Sequence, residues 1–464
     1  MGTTLIIGLV IVFKPLHSIK FYGFEYEDSF ISAHVASQAN LAPFVKDFRT
    51  HGCESRVNGE CISVSSYTGH YITYSAYLFS VAKILNIKKQ YLIHKFGNAI
   101  LFGLCFLVVF IFYKDDFVGV TFMVVFISSL PVLYVFNSGL IENLSFCLAL
   151  IFIISLHQYL LKNMKWWLWT ALLLLIILVI VKRENLIYLS TLILINPKYL
   201  IRKYTFWIFA LFLILTQFAI NPFYTEGLEA SYLGRSTFSV DYFIFQFPTY
   251  LKAFFRFDGF FILLIFILLA RRPSKKSGIL ILIWFSFILL YSFHYRGQYA
   301  IEAGEITHFE SFRYMFNTTP LLIGYMIFGK RNNQMFQKIA FSCIIIGCSV
   351  LIFKNIDMLK EFGREEYAEY HSINDKIDAL SDRGKRIALH DNFVLISMLN
   401  SNSESIDIFS AQKNFLEFHL DQENILINRF DIIDIDAFNN DYEFEEIESL
   451  SSKGVKVYSF KECF

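Results

Sequence analysis

Four groups of ionisable residues stand where apolar runs begin or end. Charge is costly there, so each group asks for a reason. The segment EYEDSF brings Glu25, Glu27 and Asp28 together just beyond the first apolar run. Adjacent carboxylates at a water–lipid boundary suit two tasks: holding a divalent cation such as Mg or Mn, or supplying a general base whose pKa a neighbour has raised. The competing reading is an exposed acidic turn, with Asp28 or Ser29 as the N-cap of a helix over SFISAHVASQAN. The second group is Lys182, Arg183 and Glu184, in VKRENL between two apolar runs. The forked donors of arginine suit a phosphate; an ion-paired helix end is the alternative.

The third is Glu142, one turn into another run and expected to pair with Lys182 or Arg183 across helices. The fourth is the loop HYRGQYAIEAGEITHFESFRYMFNTTP, which gathers His294, Arg296, Glu302, Glu305, His308, Glu310 and Arg313. Arg313 opens an apolar run that contains Pro320, a good position from which to neutralise a lipid-linked phosphate. Ordinary loop polarity is the plainer account of the rest. His294 and His308 lack the helical spacing of a zinc site. The glycosylation pattern Asn317-Thr-Thr falls inside an apolar run and reads as coincidence.

The elements that must carry these residues are membrane helices. Of 464 residues, 55% are hydrophobic and 17% charged, and mean hydropathy is +0.48. An ordinary soluble domain is about 25% charged, so a polytopic membrane protein is the expectation. Crossing a bilayer takes about 20 apolar residues. Candidate spans follow at 96–113, 117–136, 140–161, 166–181, 186–195, 204–220, 260–270, 278–293, 312–328 and 335–353, with 186–195 and 260–270 short. Thr3–Phe13, extended by Leu16, Ile19 and Phe21, reads as a first span and not a secretory signal peptide, for want of a basic start and a cleavage site. That makes eleven.

Orientation follows from lysine and arginine in short loops. With the N-terminus inside, the inner loops hold twelve basic residues: Lys114, Lys162, Lys165, Lys198, Arg202, Lys203, Arg271, Arg272, Lys275, Lys276, Lys330 and Arg331. The outer face then carries the four chemical groups. It also carries a long first loop, 14–95, whose Cys53 and Cys61 would pair as a disulfide on an oxidising side, two free thiols being the alternative. Residues 222–259 include YFIFQFPTYLKAFFRF, with Lys252 and Arg256, a composition suited to a helix at headgroup level.

Charge divides the chain in two. Residues 1–353 carry 29 Lys+Arg and 17 Asp+Glu; residues 354–464 carry 12 and 23. The acidic tail reads as a small soluble α/β domain on the outer side, with strands in KRIALHD, SIDIFS, ENILINRF and GVKVYSF. No Gly-rich phosphate loop follows any of them, so no nucleotide site is expected. Basic residues gather on no single soluble face, and no nucleic-acid partner is expected.

Taken in order, these groups resemble the GT-C fold of polytopic glycosyltransferases, most nearly bacterial arabinofuranosyl- and mannosyl-type members that use polyprenyl-phosphate sugars. Glu27-Asp28-Ser-Phe-Ile looks like the acidic pair that opens the family's first loop, with glutamate for the first aspartate. SSYTGHYITYSAYLFSVAKIL resembles its juxtamembrane helix, and KFGN its basic-plus-small entry to the next span. Gly304-Glu305, and Arg313-Tyr314 with Pro320, resemble its Gly-Gly-Asp and Arg-aromatic elements.

The resemblance implies transfer of a sugar from a polyprenyl-phosphate donor to a glycan, lipid or protein hydroxyl, with inversion, at the outer face of the inner membrane. It implies Asp28 or Glu27 as base and Arg313 with Arg183 or Lys182 on the phosphate. Glu305, His308 and Arg256 would orient donor, acceptor or a metal. A surface-polysaccharide polymerase or ligase would place its largest loop later in the chain. A secondary transporter would show related halves and broken helices, and neither is found.

Overall fold

The computed structural model describes residues 53–57, 60–63, 68–87, 90–113, 141–195, 204–220, 239–255, 271–293, 316–331, 386–389, 408–410, 424–429, 442–449 and 455–462, with isolated positions within 119–136 and 333–354 and at 451. They fall into two compact units. The first is drawn from Gly69–Tyr74 and Lys95–Glu361 and the second from Ser18–Thr68, Ser75–His94 and Phe362–Phe464.

The helices are α1 (Thr68–Leu85), α2 (Gln90–Tyr113), α3 (Ile141–Lys162), α4 (Lys165–Val181), α5 (Tyr204–Ile220), α6 (Val240–Phe255), α7 (Lys275–Ser292) and α8 (Thr319–Phe328). Among the described residues, Ile93–Tyr113, Ile141–Lys162 and Lys275–Ser292 are long and apolar enough to cross a membrane, and α4, α5 and α8 are shorter apolar helices. The runs at 96–113, 140–161, 166–181, 204–220 and 278–293 thus become α2, α3, α4, α5 and α7, and that at 312–328 contains α8. Those at 3–21 and 260–270 lie outside the described residues, as do most positions of 117–136 and many of 335–353.

The short run at 186–195 is resolved unexpectedly. Arg183–Leu194 winds as a 3₁₀ helix of 12 residues. At about 2.0 Å per residue, such a helix reaches about 24 Å, roughly a third more than an α-helix of equal length. Side chains three apart eclipse in this geometry, and the sequence uses that period. Lys182, Asn185, Tyr188, Thr191 and Leu194 form one buried row.

Within the first unit, α2, α3 and α8 run the same way. Asn98 of α2 meets Asn143 of α3, and fifteen residues on the Tyr113 hydroxyl lies 2.8 Å from His157 Nδ1. Phe146 of α3 stacks on Phe316 just before α8 (centroids 4.6 Å apart), and His157 meets Phe328 at 4.9 Å. α7 runs opposite to α8, since Ser274 at its N-cap donates to the Phe328 carbonyl at 2.8 Å. The closest approach is at Gly324, where an added Cβ would stand 3.0 Å from Leu280 Cδ1 and 3.1 Å from Ile153 Cγ2. Small residues at such crossings let membrane helices pack without a hydrophobic driving force. On α5, Trp207, Ile208, Leu211, Phe212 and Leu215 are exposed, as a lipid-facing helix requires.

The aromatic stretch expected as a helix is α6. It buries Gln246 and Tyr250, one turn apart and hydrogen-bonded at 3.1 Å, and stacks Phe243 on Phe293 beyond the end of α7.

In the second unit, β1 (Cys53–Val57) and β2 (Glu60–Ser63) form an antiparallel hairpin. Cys53 pairs with Ser63 and Cys61 with Arg56 in its register; the cysteine side chains lie outside the described residues. A separate five-stranded sheet contains β5 (Arg386–Leu389), β6 (Ile408–Ser410), β7 (Asn424–Arg429), β8 (Tyr442–Glu446) and β9 (Val455–Glu462), in the order β6-β5-β7-β9-β8. The first three strands are parallel, and β9 pairs antiparallel with both β7 and β8. Four of these are the expected strands. β8 was not expected, because YEFEE reads as an acidic segment. It is an edge strand whose Glu443, Glu445 and Glu446 are exposed while Phe444 crosses to Tyr458. Charge on an edge blocks pairing with another chain. The helical parts of the expected α/β tail lie outside the described residues.

Candidate functional site

The described part of the candidate site is a buried polar layer at one end of the first unit's helices. α3 begins Ile141-Glu142-Asn143-Leu144-Ser145, so its first turn delivers three polar side chains to the bundle interior, all fully buried. α4 ends at Val181 and is followed by Lys182, whose extended backbone turns the chain into the 3₁₀ helix. Lys182 Nζ donates to Glu142 Oε1 at 2.8 Å, with the carboxylate side chain 0% exposed and the lysine 10%. This is the cross-helix pair expected for Glu142, and Lys182 is the partner it takes. Two buried charges hold each other at the helix mouths, where removing either leaves the other uncompensated.

Around this pair the layer is built from asparagines. Asn185, one 3₁₀ turn past Lys182, accepts from Ser145 Oγ at 2.9 Å and donates to the Leu178 carbonyl at 2.9 Å, stitching α3, α4 and the 3₁₀ helix together. Asn98 Oδ1 accepts from both the Tyr74 hydroxyl and Asn143 Nδ2, each at 3.0 Å, joining α1, α2 and α3. The Tyr188 hydroxyl donates to the Asn317 carbonyl, which ties the 3₁₀ helix to the start of α8. Asn98, Asn143, Asn185 and Asn317 are all buried. Lys95, one turn before Asn98 on α2, is buried as well, at 7% exposure. Beneath the layer Phe102, Phe136, Phe146 and Phe316 close in edge-to-face and stacked contacts, sealing it from the apolar interior.

The site residues expected from sequence are unequally represented. Lys182 is in the layer, engaged by Glu142. Arg183 opens the 3₁₀ helix, but its side chain lies outside the described residues. Glu27, Asp28, Arg256, Glu305, His308 and Arg313 lie outside them too. Among the described residues no group of three or more His, Cys, Asp or Glu is set to hold a metal, and the carboxylates suggested for one are not among them.

Sequence reasoning missed the buried asparagines and the buried Lys95. The signal was present in KFGN, ENLS, KREN and NTT, four polar tetrads or triads that each carry an asparagine at the mouth of an apolar run. A buried amide in a membrane helix must find partners, so four such mouths predict a shared layer.

No family model matches the sequence, and no curated protein matches it. Among solved structures, the crystal structure of ArnT from Cupriavidus metallidurans bound to undecaprenyl phosphate aligns with a TM-score of 0.59. The alignment covers 99% of this chain and 97% of that one at 8% identity. The chain therefore has a fold like that of ArnT, which supports the GT-C architecture.

Proposed function

We propose that this protein is a membrane glycosyltransferase that moves a sugar from a polyprenyl-phosphate donor to an acceptor hydroxyl. The observation that carries the reading is the full-length likeness to a protein crystallised with undecaprenyl phosphate. A polar layer in which helix mouths converge gives it chemical sense. A donor whose tail stays in lipid presents its phosphate and anomeric carbon at helix mouths.

In the proposed reaction the acceptor oxygen attacks the anomeric carbon as the bond to the phosphate oxygen breaks, inverting the centre. Asp28, or Glu27 beside it, takes the acceptor proton. Negative charge grows on the departing phosphate and is met by cations. Arg183 follows Lys182 directly, and Arg313 precedes Phe316 by three residues, at most about 11 Å of extended chain. Both are assigned to the phosphate, with Lys95 as a further cation. Lys182 is assigned as a positioning residue, because Glu142 already takes its charge. Glu305, His308 and Arg256 are assigned to orienting donor and acceptor, and the aromatics of α6 to the groove for the lipid tail. The outer face of the inner membrane is the proposed setting, and a glycan, lipid or protein hydroxyl the acceptor.

Asp28→Asn tests the assignment. In membranes supplied with a lipid-linked donor it should lower transfer by at least about a hundredfold while the protein accumulates normally. Parental activity in that variant removes Asp28 from the reaction.

A further inference from the structure

The end of the first unit opposite the asparagine layer is built differently. Two loops that sequence treats as separate, after Ala270 and after Phe328, pair as an antiparallel ribbon of β3 (Arg271–Arg272) and β4 (Lys330–Arg331). The register sets Arg271 opposite Arg331 and Arg272 opposite Lys330. Like charges directly opposite across strands oppose pairing, and here both pairs are like.

Lys275 and Lys276 stand in the first turn of α7, where the helix dipole disfavours cations. The ribbon is nevertheless held firmly. The Ser274–Ser277 capping box starts α7, Ser274 Oγ binds the Phe328 carbonyl, and Gly329 passes so close that an added Cβ would lie 2.7 Å from Arg271 Cβ. Six cations are thus gathered at one end, of which Arg271 is buried and Arg272, Lys275, Lys276 and Lys330 are exposed. The loops assigned to this face by sequence hold twelve basic residues and two acids, Asp115 and Asp116.

A second observation says what this end faces. α3 ends at Lys162 on the same end, since His157 meets Phe328, and α4 begins there with Lys165. Next to these, Trp166 and Trp169 are 50% and 69% exposed. Exposed tryptophans beside apolar helix ends mark headgroup level, so the ribbon lies where lipid phosphates are. We propose that the β3–β4 ribbon, with the start of α7, is a binding surface for the phosphates of anionic phospholipids. The inference rests on the membrane setting and not on the transferase reading.

The test uses the full chain purified in detergent, with thermal unfolding followed after adding phosphatidylglycerol or phosphatidylcholine. Phosphatidylglycerol should raise the parent's midpoint and phosphatidylcholine should not, with the difference shrinking at high salt. Arg272→Gln/Lys330→Gln should lose at least half of that rise. Lys275→Gln/Lys276→Gln, which leaves the ribbon backbone untouched, should lose part of the rise as well. Equal rises with the two lipids, or an undiminished phosphatidylglycerol effect in both variants, overturns the proposal.

Discussion

At the scale of single residues, the Glu142–Lys182 pair governs the described part of the site. Because the glutamate is fully buried and the lysine nearly so, neither charge can turn to water when its partner is removed. Glu142→Gln alone should cost about 3–5 kcal/mol, as should Lys182→Met alone. The double variant should recover most of that loss, because an uncharged pair leaves no orphan. Unfolding midpoints of the three variants in one detergent decide it; additive losses would mean the pair is not the interaction that matters. The pair was legible in sequence, since a glutamate one turn into a span demands a cation. The asparagines were not recognised as an assembly, because a single asparagine at a helix mouth reads as an ordinary polar boundary. Only contacts between helices distant in sequence show Asn98 bonded to Asn143 and Asn185 bonded to Ser145.

At the scale of elements, apolar run length located the helices and period exposed what length alone could not. The run at 186–195 is too short to span as an α-helix, yet Lys182, Asn185, Tyr188, Thr191 and Leu194 repeat every three residues. That is the period of a 3₁₀ helix, so the element's form is written in the sequence as a repeat of three. β8 escaped for the opposite reason: its acidic, solvent-facing residues mask the alternation of an edge strand. Packing of α3, α7 and α8 depends on Gly324. Gly324→Leu would force a branched side chain between Leu280 and Ile153, and such overpacking costs about 1–3 kcal/mol or more. Gly324→Ala should fall between that variant and the parent. Size-exclusion profiles of the detergent-purified variants check the order, and a parent-like Gly324→Leu would contradict the close packing.

At the scale of the whole molecule, composition identified a membrane protein and the charge asymmetry separated an acidic tail from a basic body. The fold likeness to ArnT extends over 99% of the chain although only 8% of aligned residues are identical. Architecture can persist at that level because helix packing needs apolar surface and small residues at crossings, and tolerates many sequences that supply them. Chemistry needs particular groups, and the proposed ones stand in short motifs: the acidic pair Glu27-Asp28 and the arginines Arg183 and Arg313. The central claim is that a polyprenyl phosphate leaves as the sugar moves. It is tested most directly by reconstituting the purified protein in vesicles with a polyprenyl-phosphate-linked sugar and a glycan acceptor, and measuring both products. The account predicts one polyprenyl phosphate released for each glycosidic bond formed, the new bond having inverted configuration, and no transfer from a nucleotide sugar. Transfer from a nucleotide sugar without any lipid carrier would contradict it.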